Sequence, residues 1–436
     1  MNILSKKLEI DIIILNFLIS LIPISFIIGN LAINVLIVLI IIFSFLFYRK
    51  KIFDFKHNFI DKLILIFFCY SFLLAIYKYF IQNYYHDIYV LEKSIFYLRF
   101  YFFYISLRYL VINKKLKFDL FFYTSSVCVI FVSLDIIYQL IYGKDIFGFP
   151  NTYEKFRKIS GPFKDELIAG GYLQRFSIFM IVPFLYFLKN FSKTFVILSF
   201  FLIFTLICIG LILSGNRMPL VLFLFIMFFI GLSEKDFRKY TAYLLGCFIV
   251  LFSLIYNQNL VVKKNFNNFA DRIYKFHNLI SSEKLDRHKL PQHFAEFESF
   301  YDTWLMNKFL GGGIKSFRIN CPLRKNISKD ERVMCSNHPH NYYLEVISEL
   351  GVVGLVIFSF IVISVLKESY LKRYLKNDKK NINILPFIFL FIAEIFPIKS
   401  TGSFFTTSNS TYFFFITSIL VTLSMKNLLI ENKKIL

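Results

Sequence analysis

The sequence predicts an all-α integral membrane protein with about twelve transmembrane helices, and three observations carry that expectation. Hydrophobic residues make up 57% of the chain and aromatic ones 20%, with a mean hydropathy of +0.61, whereas soluble domains are only ~45–50% apolar. Apolar runs of the ~20 residues that a spanning helix needs centre near residues 20, 39, 70, 102, 130, 177, 204, 224, 248, 357, 391 and 417. Lysines and arginines crowd every second loop between those runs, the asymmetry by which orientation is set.

The first run follows Met1-Asn2-Ile3-Leu4-Ser5-Lys6-Lys7. That start is basic like a signal peptide's, but the run is long and no small-residue cleavage site is evident, so it reads as an uncleaved first span. Lys6 and Lys7 precede span one, Arg49, Lys50, Lys51 and Lys56 follow span two, and Lys114, Lys115 and Lys117 follow span four. The alternation continues through Lys189 and Lys193, then Lys235, Arg238 and Lys239, then Lys367, Lys372, Arg373, Lys376, Lys379 and Lys380, and ends at Lys433 and Lys434. Basic short loops stay cytoplasmic, so both termini are expected inside. The span near residue 102 has Glu92, Lys93, Arg99 and Arg108 in or beside it, and charges at that depth face protein or water. Three regions follow: residues 1–256 with nine spans and outer loops at 143–166 and 214–219, residues 257–341 as a large outer loop domain, and residues 342–436 with three spans and an inner C-terminus.

Four outer segments hold the unusual polar residues: 143–166, the turn Ser214-Gly215-Asn216-Arg217-Met218-Pro219, the loop 257–341 and the short loop near Lys399. Their shared face predicts one site there. The net charge of +22 does not imply a nucleic-acid partner, because the orientation rule accounts for much of it. The long outer loop is basic as well, with Lys263, Lys264, Arg272, Lys275, Arg318, Arg324, Lys325 and Arg332, which suits an anionic ligand or the surface of membrane lipids. Cys69, Cys128, Cys208 and Cys247 fall in apolar spans, where a thiol acts as a small hydrophobe. Cys321 and Cys335 alone lie in the outer loop. In an oxidising periplasm they are expected to form a disulfide, and the ligand spacing of structural zinc sites is absent around them.

Within that loop Phe294, Phe297, Phe300, Tyr301, Trp304, Leu305 and Phe309 recur at helical spacing until Gly311-Gly312-Gly313 stops the pattern. This is an amphipathic helix, either packed over the spans or in the interface, or a lid over a lipid-substrate cavity; the glycines read as a flexible helix end, or as a phosphate cradle. Next, His338-Pro339-His340-Asn341-Tyr342-Tyr343-Leu344-Glu345 runs into the apolar segment that contains Gly351 and Gly354. Two imidazoles thus stand at the lip of a membrane helix, either solvated or able to exchange a proton near neutrality. Arg217 lies close to the hydrocarbon boundary, as a snorkelling anchor or as a guanidinium that grips phosphate oxygens bidentately. In Arg157-Lys158-Ile159-Ser160-Gly161-Pro162-Phe163-Lys164-Asp165-Glu166 the paired carboxylates read most simply as charges favoured near a helix start.

The order of Gly161-Pro162-Phe163-Lys164-Asp165-Glu166, Ser214-Gly215-Asn216-Arg217, Gly312-Gly313-Ile314-Lys315-Ser316-Phe317-Arg318 and His338 to Glu345, spread over residues 157 to 356, resembles the O-antigen ligase and polymerase superfamily. The resemblance implies a GT-C-like membrane glycosyltransferase of the bacterial inner membrane, using neither metal nor cofactor. It implies transfer of a glycan from undecaprenyl pyrophosphate, with inversion, to an acceptor at the periplasmic face. In ligases that acceptor is a sugar hydroxyl of the lipid A core. His340 would be the base or acceptor-orienting group and His338 its support. Arg217 would bind the donor pyrophosphate with Arg318 and Arg157 as companions, while Asn341, Glu345 and Lys315 position the acceptor. The glycines, Lys315, Phe317 and Arg318 followed by paired cysteines look ligase-like; a polymerase with the same donor and a glycan acceptor is the alternative. From another class, a lipid-linked glycan transporter draws on Glu92, Arg99, Arg108, Arg175 and Glu394, although no internal repeat of the kind common in transporters is visible.

Overall fold

The computed structural model describes residues 2–81, 87–151, 158–281, 292–324, 335, 339–375, 382–399 and 402–431. Nearly all of them are helical and no strand is present among them. In chain order the helices are α1 (Asn2–Ser20), α2 (Ile22–Ile28), α3 (Asn30–Tyr48), α4 (Phe59–Ile81), α5 (Asp87–Tyr97), α6 (Arg99–Ile112), α7 (Asp119–Tyr142), α8 (Ala169–Phe176), α9 (Ile181–Asn190), α10 (Lys193–Leu213), α11 (Arg217–Ser233), α12 (Lys235–Gln258), α13 (Leu260–Ser281), α14 (Gln292–Met306), α15 (Phe317–Asn320), α16 (Tyr342–Leu366), α17 (Lys372–Leu375), α18 (Leu385–Glu394) and α19 (Thr407–Glu431).

Among the described residues 8 helices are long and apolar enough to cross a membrane, or 9 if the bent pair α1–α2 is one span. The bend falls where Pro23 enters the first turn of α2, a position that removes a helical donor. Helices α11 and α18 are apolar but shorter. Leu31, Phe80, Ile141, Leu202 and Ile249 are exposed on these helices, a surface that hydrocarbon covers without cost. In such surroundings each backbone amide must find its partner within the protein, which a helix provides. The protein is thus a helical membrane protein.

The chain forms two compact units. Unit 1 comprises Met1–Phe47, Asn113–Asp271 and Lys379–Ala393, and unit 2 comprises Tyr48–Ile112, Arg272–Asp378 and Glu394–Leu436. Unit 1 is cored by aromatic rings, with Phe179 centred 4.9 Å from Phe121 and 5.2 Å from Phe387. Unit 2 carries a fully buried ion pair between α6 and α4. Arg108 Nε donates to Asp61 Oδ1 at 2.8 Å and Nη2 to Oδ2 at 2.7 Å. Tyr104 donates to the same carboxylate at 2.6 Å, and Thr422 accepts from Arg108 Nη1 at 2.6 Å. Only such complete, bidentate partnering offsets the desolvation of two buried charges.

Helix α16 is broken at Gly351, whose φ of 65° and ψ of −170° are far from helical. The segment 308–313 crosses the break and takes up its stranded groups. Val352 N–H donates to Lys308 O at 2.9 Å, Val353 N–H to Phe309 O at 3.1 Å, and Gly313 N–H to Glu349 O at 2.7 Å. Tyr70 adds its hydroxyl to Leu310 O at 2.8 Å. The contact is backbone against backbone: a Cβ on Gly351 would stand 2.2 Å from Phe309 O, and one on Gly311 2.3 Å from Glu349 O. The glycine run is therefore a packed crossover, not a flexible helix end, because non-helical backbone in an apolar segment must be sealed by protein. Gly351→Ala adds that clash to a conformation reserved for glycine, so a loss of at least ~2 kcal/mol is expected. A lowered unfolding midpoint of the solubilised protein checks it; an unchanged midpoint would contradict the crossover's structural role.

Candidate functional site

The histidine segment enters α16 through a built cap. Asn341 is the residue before the helix, and its Oδ1 accepts from Tyr343 N–H at 3.0 Å and Leu344 N–H at 3.1 Å. This satisfies two of the orphan donors of the first turn. The same amide donates through Nδ2 to Pro397 O at 2.8 Å, and Tyr343 donates to Ile395 O at 2.6 Å. Between them Tyr342 donates to Glu394, whose second oxygen lies 2.7 Å from Lys399 Nζ. Lys399 also sits over the Tyr342 ring, 4.6 Å from its centroid. Three consecutive side chains therefore grip residues 394–399. They hold the residue just ahead of the cap, His340, at a φ of 54°, a left-handed conformation that a non-glycine residue adopts at some cost. His340 is half-buried, and His338 lies outside the described residues.

One turn further on, Glu345 is buried with all its acceptors engaged. Lys315 Nζ lies 3.0 Å from Glu345 Oε1 and donates to Ser403 Oγ at 2.7 Å. Ser403 Oγ–H and Phe404 N–H both donate to the same carboxylate. Lys315 N–H donates to Glu349 Oε2 at 2.7 Å. Burial works to lower the Lys315 pKa, but the Glu345 and Glu349 carboxylates outweigh it, so the ammonium is raised above the usual lysine value and stays charged. Lys315 and Glu345 thus tie residues 313–316, α16 and 403–404 together. Arg318, in contrast, is exposed.

The disulfide expected from the sequence is present, with Cys321 and Cys335 Cα atoms 5.7 Å apart. Cys321 is buried with Phe300 of α14 and Phe317, whose rings stack. Arg324 completes this corner by donating from Nε to Cys321 O at 2.9 Å and from Nη1 to Ser299 O at 3.1 Å. The bridge spans a sequence separation of 14, so replacing both cysteines by serine is expected to cost ~3 kcal/mol. Denaturant unfolding with and without reductant measures it; curves that coincide would show that the bridge does not stabilise the fold.

Unit 1 places Arg217 at the start of α11, half-buried. Its Nε donates to Asn265 Oδ1 at 3.0 Å, and the guanidinium stands 5.4 Å from the Phe269 ring centroid, both residues of α13. Asn265, itself buried, also donates to Gly215 O at 3.3 Å. The preceding turn is locked to the start of α8: Asn216 accepts from Gly170 N–H at 3.1 Å and donates to Leu167 O at 2.9 Å. Burial, then the neighbouring Arg217 charge, lowers the Lys158 pKa below its usual value. Two cations thus share one electrostatic environment. The Gly161-Pro162-Phe163 motif is buried, with Gly161 N–H donating to Gln139 Oε1 at 2.8 Å. Asp165 and Glu166 are exposed, and the first turn of α8 contains no acidic residue. Arg157 lies outside the described residues.

Unit 2 thus gathers Lys315, Glu345, Asn341 and His340 around one helix end, while Arg217 belongs to unit 1. Sequence reasoning missed the Tyr342–Glu394–Lys399 cluster. Its signal was a glutamate ending an apolar run, with Pro397 and Lys399 close behind. Asn265 gave no signal, since asparagines also stand at 267 and 268 of the same helix.

Residues 200–359 match the family model described as O-antigen ligase. That stretch contains Arg217, Lys315, Arg318, both bridged cysteines and the whole segment from His338 to Glu345. No curated protein matches the chain.

Proposed function

We propose that this protein of the O-antigen ligase superfamily transfers a glycan from undecaprenyl pyrophosphate to a sugar hydroxyl of the lipid A core. The single observation that carries the reading is the family match over residues 200–359, because it encloses both the membrane-edge arginine and the capped histidine. The chain is taken as a twelve-span GT-C-like enzyme of the bacterial inner membrane, with both termini cytoplasmic. Its periplasmic loop domain is residues 257–341, between spans in 1–256 and 342–436.

In this mechanism the acceptor hydroxyl attacks the anomeric carbon as His340 removes or orients its proton. The sugar–phosphate bond breaks and the pyrophosphate departs with the charge. Arg217, with Arg318 and Arg157 as further contacts, stabilises that charge without a metal. Direct displacement inverts the anomeric centre. Asn341, Glu345 and Lys315 act by position: Asn341 fixes the backbone that carries His340, and the Lys315–Glu345 pair holds the helix end. His338 supports its neighbour.

A polymerase would use the same residues with a glycan acceptor, and the paired cysteines after Lys315, Phe317 and Arg318 favour the ligase. The transporter reading is weakened, because Arg108 is paired with Asp61 and Glu394 with Lys399. Reconstitution with the lipid-linked glycan and lipid A core, in chelator, tests the proposal. Glycan is expected on the core; longer undecaprenyl-linked chains would assign a polymerase, and dependence on added metal would overturn the mechanism.

A further inference from the structure

Unit 1 has an apolar groove of ≈ 350 Å³ formed by α7, the α9 region and α10, within the ~300–1,000 Å³ usual for small-molecule pockets. Its walls include Tyr123, Val127, Pro183, Phe187, Phe195 and Ser199. Phe184 and Phe200, also in the lining, stack at 4.0 Å. The lining takes residues 123–130 from α7 and 195–203 from α10, so the two helices begin at the same end. From residue 195 to 203 the groove runs about 12 Å along α10 at 1.5 Å per residue, close to the ~15 Å hydrocarbon depth of one leaflet.

The helix starts beside the groove are charged. Lys193 is the first residue of α10, and Ser192 caps that helix by accepting from Phe195 N–H. Lys193 is exposed, as is Lys117 just ahead of α7. An apolar slot about one leaflet deep, with Lys193 between its lining residues Phe191 and Phe195 at the positive end of a 21-residue helix, matches an amphiphile with an anionic head and an alkyl tail. Arg217 follows the opposite end of α10, about 30 Å away along the helix, so a lipid whose head group is bound there does not have its head at Lys193.

We propose that the groove holds one acyl chain of an anionic membrane phospholipid, with its phosphate at Lys193. In the orientation proposed above this is the cytoplasmic leaflet, so the lipid bolts α7, α9 and α10 together on the side away from the transferase chemistry. The inference stands whether or not that chemistry is confirmed.

The test uses the full chain in phosphatidylcholine vesicles doped with phosphatidylglycerol bearing a photoreactive acyl chain. Crosslinks are expected within residues 123–130 and 180–203. Unlabelled phosphatidylglycerol should compete about fivefold better than phosphatidylcholine, the ratio for ~1 kcal/mol per lysine, and Lys193→Gln should erase that preference. Ser199→Trp should abolish the label by filling the slot; should it not fold, the competition and Lys193→Gln decide. Equal competition by phosphatidylcholine, label elsewhere, stronger competition by a polyprenyl phosphate, or crosslinks to a second copy of the chain would each overturn the assignment.

Discussion

His340→Asn is expected to slow glycan transfer by about 10²–10⁴-fold, the usual contribution of a positioned acid or base, without moving the unfolding midpoint. Asparagine is the informative replacement because the residue sits at a φ of 54°, and asparagine tolerates that conformation better than most side chains. The substitution keeps the backbone that leads into the Asn341 cap and removes only the imidazole. The structure gives a reason to expect selectivity. Asn341, Tyr342 and Tyr343 all reach residues 394–397, so the turn is held by its neighbours. Initial rates with saturating donor and acceptor read the effect. A variant that keeps the full rate would remove His340 from the chemistry, and one that raises KM alone would make it an acceptor contact.

Arg217→Lys is expected to lower kcat by roughly 10²–10³-fold, the scale for one group aimed at charge that develops in the transition state. Lysine retains the positive charge, so retained activity would reduce the residue to a snorkelling anchor. Loss is expected because the guanidinium is pre-oriented, with Nε fixed on Asn265 and the plane near Phe269, and a planar fork can make a bidentate grip that an ammonium cannot. Lys158, its pKa lowered by burial and then by Arg217, adds positive charge that a bound pyrophosphate would offset. The variant's donor KM and kcat, measured separately, decide between ground-state binding and transition-state stabilisation.

Much of the membrane architecture was legible because it is local. The runs near residues 39, 70, 130, 204 and 248 each became a single long helix, since hydrocarbon leaves the backbone no other partner than itself. The Cys321–Cys335 bridge was legible as the one pair outside the spans. The break in α16 was not. Gly351 and Gly354 read only as motif glycines, and the need for φ of 65° at Gly351 exists only because residues 308–313 cross there. The charges near residue 102 were equally silent about their use, because the partner of Arg108, Asp61, stands in another span.

By itself the sequence determined that this is a helical membrane protein, where most of its spans lie, and which superfamily its arginine and histidine motifs resemble. Those properties depend on composition, on residues adjacent in the chain and on the order of short motifs. Only the tertiary structure decided that Lys315 and Glu345 face each other with Ser403, that Asn265 steadies Arg217, and that Glu394 and Lys399 clamp the turn that carries His340. Each of those arrangements joins residues from separate segments of the chain. Which buried charge meets which is set by the helices that come to lie side by side, and a buried charge is tolerated only once that partner is in place.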